Sequence, residues 1–329
     1  MTDAPPDTRP DLLSPAFRAL SARLGADPLQ VQGPGGNTSI KGGGVMWIKA
    51  SGTELAEAER QPIFVPVDRS AALAEARGAA GDGSCKGTVI DPASTLRPSI
   101  ETTFHAAMDH AVVVHTHSVA TLVHAISPEG RVALADKLAG LPFISVPYAK
   151  PGLPLTREIL ARIRPETRIV ILQNHGLICC GPAVDEVADT VAEVEARLAM
   201  PPSMTDTHLP SGPPAEGFDW AGESWLALDD RATALVTGGS YYPDHVVFLG
   251  PTLAERDHDA APPAILHRGV GVALRHGATS AQRAMLRCLA DVVARLPGDW
   301  SAEPIGAEAE ASLLDWDAEK YRQALAARG

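Results

Sequence analysis

Apolar residues recur at helical spacing early in the chain, where Leu13, Phe17, Leu20 and Leu24 predict a helix over Ser14 to Leu24. The pattern then changes to strand-like. "VMWIKASGT" reads as a strand ending in a tight turn. "SIETTFHAAMDH" predicts a helix that starts near Ser99, with the serine as N-cap and Glu101 in its first turn. An apolar strand, "VVVHTH", follows at once, and "VATLVHAI" after it reads as a helix. "FISVPYA" and "RIVILQNH" predict two further strands. "DEVADTVAEVEARLAM" predicts a long helix with Val187, Val191, Val194 and Leu198 on one face. Periodicity then stops in "MPPSMTDTHLPSGPPAEG", whose Pro, Ser and Gly content marks a domain boundary. Beyond it "HVVFLG" and "VGVALR" read as short strands, and Ala281 to Arg295 and Asp317 to Ala327 as helices. The expected organisation is a first domain over residues 1–200, a linker over 201–217 and a smaller α/β domain over 218–329. No internal repeat is visible.

The strand "VVVHTH" raises the first chemical question. Side chains alternate across a strand, so His115 and His117 point to one side of it. Two imidazoles presented together suit a metal ion, and they also suit two satisfied histidines at a sheet edge. A third histidine, His175, follows another apolar strand, and Gly176 beside it allows a sharp turn. Three protein ligands with a position left open is the usual plan of a mononuclear catalytic site. His105, His110 and His124 lie on helical segments and read as supporting or bystander residues. His208, His258, His267 and His276 show no ligand spacing. Cys179 and Cys180 are soft enough for zinc, but adjacent residues on a strand face opposite ways, so they read as packing.

Composition narrows the partners. The formal charge of −12 argues against a nucleic-acid backbone, although a few local donors can still bind a small anion. The four cysteines form no framework or C-x-x-C pattern, which fits free thiols in the cytoplasm. The start, "MTDAPPDTRPDLL", is acidic and Pro-rich and is not expected to act as a secretory leader. No apolar run approaches the roughly 20 residues that span a bilayer, so no membrane partner is expected.

Two further features carry candidate chemistry. Glu101 stands just before the H-x-H strand, where a carboxylate can serve as ligand, as general base or as a plain helix-dipole acid. The Gly-rich "GPGGNTSIKGGG" lacks the Gly-Lys-Ser/Thr of a Walker loop, and Thr38 stands where a dinucleotide fingerprint needs glycine. A structural loop and an anion-binding loop both stay open for it.

"GGNTSIK", "ASGT", "RPSIETTFHAAM", "VVVHTH" and "ILQNHGLICCG", in this order, resemble the class II aldolase/adducin family over roughly Leu13 to Met200. The resemblance implies an α/β fold with a central, mainly antiparallel sheet in a three-layer α/β/α arrangement. It implies a metal on His115, His117 and His175, expected to be zinc or another divalent ion such as manganese or cobalt. It implies Glu101 as the catalytic acid/base, and phosphate binding by Asn37, Ser51, Gly52 and Ser99. Turn amides and hydroxyls make such a nest physically reasonable. The implied activity is cleavage or formation of a C–C bond in a phosphorylated ketose through a metal-stabilised enediolate, in a homotetramer. No lysine Schiff base is needed, so Lys41 and Lys49 are not nominated.

The sequence also departs from the family pattern. Ile100 fills a place where fuculose-type enzymes carry a second serine, which removes one hydroxyl donor to the anionic end of the substrate. Several family members also use a tyrosine from a neighbouring subunit, which the sequence does not place here, with Tyr148 a candidate. The same metal chemistry also serves decarboxylases, epimerases and dehydratases, and adducin keeps the fold as a non-catalytic interaction protein. Residues after the linker, including "GGSYYPDHVVFLGP" and "LLDWDAEKYRQAL", resemble the extension of aldolase halves fused to a short-chain dehydrogenase, and a dehydrogenase portion is not expected here. For Asp244 and His245 in that extension, reaching an active site and a structural role both stay open, and the structural role is the expected one.

Overall fold

The structure, a computed structural model, describes residues 7–203, 209–258 and 261–327. Compactness divides the chain into two units. The first takes the chain up to Thr116, then Gly140–Leu172 and Leu177–Ala196. The second takes His117–Ala139, Gln173–Gly176 and the chain from Arg197 onward.

A seven-stranded sheet organises the first unit. Its strands are β1 (Asn37–Gly42), β2 (Val45–Lys49), β3 (Phe64–Asp68), β4 (Val112–Thr116), β5 (Phe143–Val146), β6 (Ile169–Leu172) and β7 (Gly176–Gly181). They run in the order β3-β2-β1-β4-β7-β6-β5. The β1–β2, β2–β3, β1–β4 and β4–β7 pairs are antiparallel, and β5–β6 is parallel. This is the mainly antiparallel central sheet that the sequence implied.

Register fixes what each face carries. Asn37 lies opposite His115 and Ser39 opposite Val113, so these four share one face. The Ser39 hydroxyl meets the ring of His105, which places helix Thr102–Ala107 on that face. Thr38 points to the other face, where its hydroxyl meets that of Ser21 on helix Pro15–Ala26, 2.8 Å away. Helices therefore cover both faces.

The apolar core follows the same alternation. Val113, Ile178 and Cys180 pack with Phe104, Met108, Leu155 and Ile159. Met46, Ile48, Val65 and Val67 pack with Ala72, Cys85 and Ala106. All four residues of the valine-and-leucine stripe on helix Val184–Leu198 (Val187, Val191, Val194 and Leu198) are buried, as their spacing predicted.

Two sequence expectations shift. The helix expected from Ser99 begins instead at Thr102, with Glu101 as its N-cap residue. Ser99 N–H is committed to Lys49 O and Pro98 bridges Ala50, so the chain stays extended past β2 and turns only afterwards. The turn holding His175 is made by Asn174, at φ 53°, rather than by Gly176, which is close to extended. Asparagine tolerates this left-handed conformation, because a short polar side chain bonds nearby.

The second unit contains β8 (Phe218–Trp220), β9 (Ala264–His267) and β10 (Gly271–Arg275) as an antiparallel sheet in the order β8-β10-β9. Helix Ser280–Arg295 opens with a capping box between Thr279 and Gln282 and packs against helices Val119–Ala125 and Pro243–Leu249. "HVVFLG" belongs to that last helix, not to a strand. Pro243 in its first turn presets the helical φ, and every residue from Pro243 to Leu249 is buried, so packing overrides the β-branched preference of the two valines. Residues 204–208 of the expected linker, His208 among them, lie outside the described residues. Among the described residues no helix is long and apolar enough to cross a membrane.

Candidate metal centre

The first half of the site is built where β1 meets the segment before helix Thr102–Ala107. Asn37 opens β1 and is buried. Its Nδ2 donates to Glu101 Oε2 at 2.8 Å and to Ser99 Oγ at 3.1 Å. Glu101 N–H also donates to Ser99 Oγ, at 3.2 Å. Both bonds use the hydroxyl oxygen as acceptor, which leaves the Ser99 proton to be donated.

His105 holds the other end of the amide. Its Nε2 meets Asn37 Oδ1, and its Nδ1 meets Ser39 Oγ at 2.7 Å. Oδ1 only accepts, so Nε2 carries the proton and Nδ1 accepts from the serine. Burial, helped by the charge of Lys41, pushes the His105 pKa well below its usual value and keeps the ring neutral. Of the supporting and bystander roles the sequence left open for His105, the geometry shows the supporting one: it orients Asn37, which in turn fixes Glu101.

Glycine is required at one point of the approach. Gly36 adopts φ +57°, and a Cβ there would stand 2.9 Å from His115 O. Lys49 secures the same loop, with Nζ donating to Pro34 O and Gly36 O. Ser51 and Gly52 occupy the turn after β2, and the backbone brings that turn beside the others: Ser51 N–H donates to Arg97 O and Ser99 N–H to Lys49 O.

The histidines complete the arrangement. His115, His117 and His175 are buried and each offers a ligand nitrogen, all within 4.8 Å of one another. His115 lies in β4, and its Nδ1 is 2.9 Å from Leu177 O. A carbonyl can only accept, so Nδ1 carries the proton and Nε2 presents its lone pair. That lone pair faces Glu101 Oε2 at 3.4 Å. Two electron-rich atoms stand opposite each other unless a proton or cation lies between them.

In the second unit His117 follows the end of β4 and leads into helix Val119–Ala125. Its ring centroid is 5.5 Å from that of His175. Its Nδ1 lies 3.2 Å from Asp244 Oδ2. Burial alone would raise the pKa of Asp244, but the Arg322 guanidinium and the His117 ring hold it well below the usual carboxylate range. Asn174 braces the turn that carries His175, donating to Tyr241 O and Glu303 O and accepting from Arg131.

These residues fit a divalent ion. Zinc bound by imidazole lies about 2.0–2.1 Å from each nitrogen, which spaces ligand nitrogens roughly 3–4 Å apart. The three buried imidazoles offer ligand nitrogens within 4.8 Å of one another, close to that spacing. His115 and His117 each have Nδ1 facing an acceptor, which leaves Nε2 as the nitrogen that would hold an ion.

Other candidates go elsewhere. Cys179 and Cys180 are buried, and burial raises both thiols, Cys180 to about 12, as packing residues require. His245 Nδ1 accepts from Tyr241 N–H, and burial lowers the ring's pKa to about 3, so it stays neutral. Tyr148 follows β5 and is half-buried. The residue that sequence reasoning undervalued is Asp244, whose partner lies 127 positions away and leaves no local signal.

Residues 19–200 match the family described as Class II Aldolase and Adducin N-terminal domain. A curated relative, "Uncharacterized oxidoreductase YuxG" of Bacillus subtilis (strain 168), is 28% identical over 176 residues. That match takes 48% of this chain and only 25% of the relative, so the chain spans about a quarter of the relative's length. The N-terminal class II aldolase domain of a conserved protein from Thermoplasma acidophilum is 25% identical with TM-score 0.50, over 60% of this chain and 95% of that one. An aldolase II superfamily protein from Pseudomonas syringae is 20% identical with TM-score 0.44, over 57% of this chain and 75% of that one. With residues 19–200, more than half of its length, matched to that family, the chain belongs to the class II aldolase and adducin family.

Proposed function

We propose that this protein is a metal-dependent class II aldolase that breaks or makes a C–C bond of a ketose, phosphorylated in the favoured case. In this reading His115, His117 and His175 hold a divalent ion, zinc or else manganese or cobalt. The observation that carries it is the buried histidine cluster with a carboxylate 3.4 Å from one of its ring nitrogens. When bound, the ion supplies Lewis acidity toward substrate oxygens that gain negative charge.

The chain's own residues do the rest. Glu101 takes and returns the substrate proton at its carboxylate. Asn37 fixes that carboxylate through Oε2, and His105 fixes Asn37. Ser99 donates its hydroxyl proton to the anionic end of the substrate, beside the Ser51 hydroxyl and the Gly52 amide. Ile100 offers no hydroxyl, so the anion is held by fewer donors than in fuculose-type enzymes. Residues 1–200 act as the catalytic domain and 218–329 as an accessory domain joined by 201–217. The same reading makes the protein a cytoplasmic homotetramer.

The test is a screen of the metal-loaded protein against phosphorylated and free ketoses and keto acids. Release of an aldehyde from a ketose supports the proposal. Loss of CO2, epimerisation or dehydration without C–C cleavage reassigns the reaction on the same residues. A protein that turns over nothing and holds no stoichiometric ion is an adducin-like interaction module.

A further inference from the structure

We infer that the region following the family domain supplies a positioning residue to the metal centre: Asp244 orients His117 and strengthens it as a ligand. The inference rests on the reading above that His117 holds an ion. Asp244 lies on helix Pro243–Leu249, beyond the residues matched by the family. Its Oδ2 is 3.2 Å from His117 Nδ1, with both side chains buried. Nδ1–H donates to the carboxylate, which fixes the tautomer and leaves the Nε2 lone pair for an ion. A carboxylate behind a ligating imidazole also makes that imidazole more basic toward the metal.

Asp244 is itself held from the far end of the chain. On helix Asp317–Ala326, Arg322 Nη1 lies 3.0 Å from Asp244 Oδ1 and Nη2 lies 3.2 Å from Oδ2. Glu319, one turn earlier, pairs with the same guanidinium at 2.8 and 2.9 Å. A bidentate guanidinium fixes the plane of the Asp244 carboxylate, and that plane fixes the ring. Two carboxylates share one guanidinium, so neutralising Asp244 leaves Arg322 paired with Glu319. This makes Asp244→Asn a fair probe, because no buried cation loses its last carboxylate.

The experiment titrates metal-free wild type and Asp244→Asn with Zn2+ against a chromophoric chelator, and records the visible d–d spectrum with Co2+. The expected result is a loss of Zn2+ affinity by about 10–100-fold, the usual consequence of losing such a partner. The Co2+ band should shift while the melting temperature of the metal-free protein changes little. Wild type and variant with the same affinity and spectrum would overturn the inference while leaving the metal reading intact. A wild type that binds neither ion overturns both. Should the variant fail to fold, nitrogen NMR of histidine-labelled, metal-free wild type decides the matter, with His117→Gln assigning the signal. A proton on Nδ1 supports the inference, and a proton on Nε2 overturns it.

Discussion

Around Glu101 the side chains are Asn37, Ser99, His105 and Ser39, all neutral: Asn37 Nδ2 donates to the carboxylate, Ser99 Oγ accepts from Asn37 and from the Glu101 N–H, and His105, backed by Ser39, holds the other end of the Asn37 amide. Around Asp244 stand Arg322 and Glu319, and charge does the holding. The first cluster lies within the residues matched to the family, whereas the second lies entirely outside them. Neutral donors leave a carboxylate free to exchange a proton, while a guanidinium locks one in the anionic form. In the proposed reading these two buried carboxylates beside histidine have opposite tasks, proton transfer for Glu101 and fixed orientation for Asp244.

The largest effect that would break this contrast belongs to Glu101. Glu101→Gln keeps size and polarity but cannot accept the proton, so turnover should fall by roughly 10²–10⁴-fold. Metal content should stay near wild type, because the three histidines are intact. Metal lost together with turnover would make Glu101 chiefly a ligand, and near-normal turnover would end its role as acid/base. A smaller loss is expected from Asn37→Ala, which removes the partner of both Glu101 and His105. An unmet buried hydrogen bond costs about 1–3 kcal/mol, so turnover should fall on the order of 10-fold or more with metal content unchanged. Kinetics matching wild type would show that Glu101 does not depend on Asn37.

The smallest effect concerns stability alone. Lys41 is buried on the same face of β1 as Asn37, where its Nζ donates to His110 O. Burial, with repulsion from Arg69, brings its pKa down to about 7 from the ordinary value of 10.5. The unfolded chain keeps that proton up to the ordinary value, so between these two values unfolding takes up a proton and stability rises with pH. Below about 7 both states are charged and the burial penalty is felt in full. Lys41→Met should therefore stabilise the fold, on the order of 3 kcal/mol near pH 6, with the gain shrinking by pH 10. Denaturant melts at the two pH values measure this. A gain independent of pH would place the lysine's charge outside the balance.

Much of the first cluster was legible in the sequence because its parts are local. Alternation along β4 placed His115, and strand register aligned it with Asn37. Ser99 and Glu101 sit within three residues of one another. The details that slipped were matters of hydrogen bonding. Backbone bonds to Lys49 and Ala50 delayed the helix to Thr102, and Asn174 rather than Gly176 took the left-handed turn because three side-chain bonds hold it there. The second cluster was nearly illegible. Asp244 and Arg322 reach each other, and Asp244 reaches His117, only through tertiary packing, and the helix bearing Asp244 reads as a strand from its valines.

The measurement that bears most directly on the account is the metal content of wild type and His117→Ala after equilibration with zinc and removal of excess ion. The account predicts roughly one tightly held ion per chain in the wild type, and a sharp loss of it in the variant while the fold is kept. A wild type that retains no ion, or a His117→Ala protein that retains as much as the wild type, would contradict it.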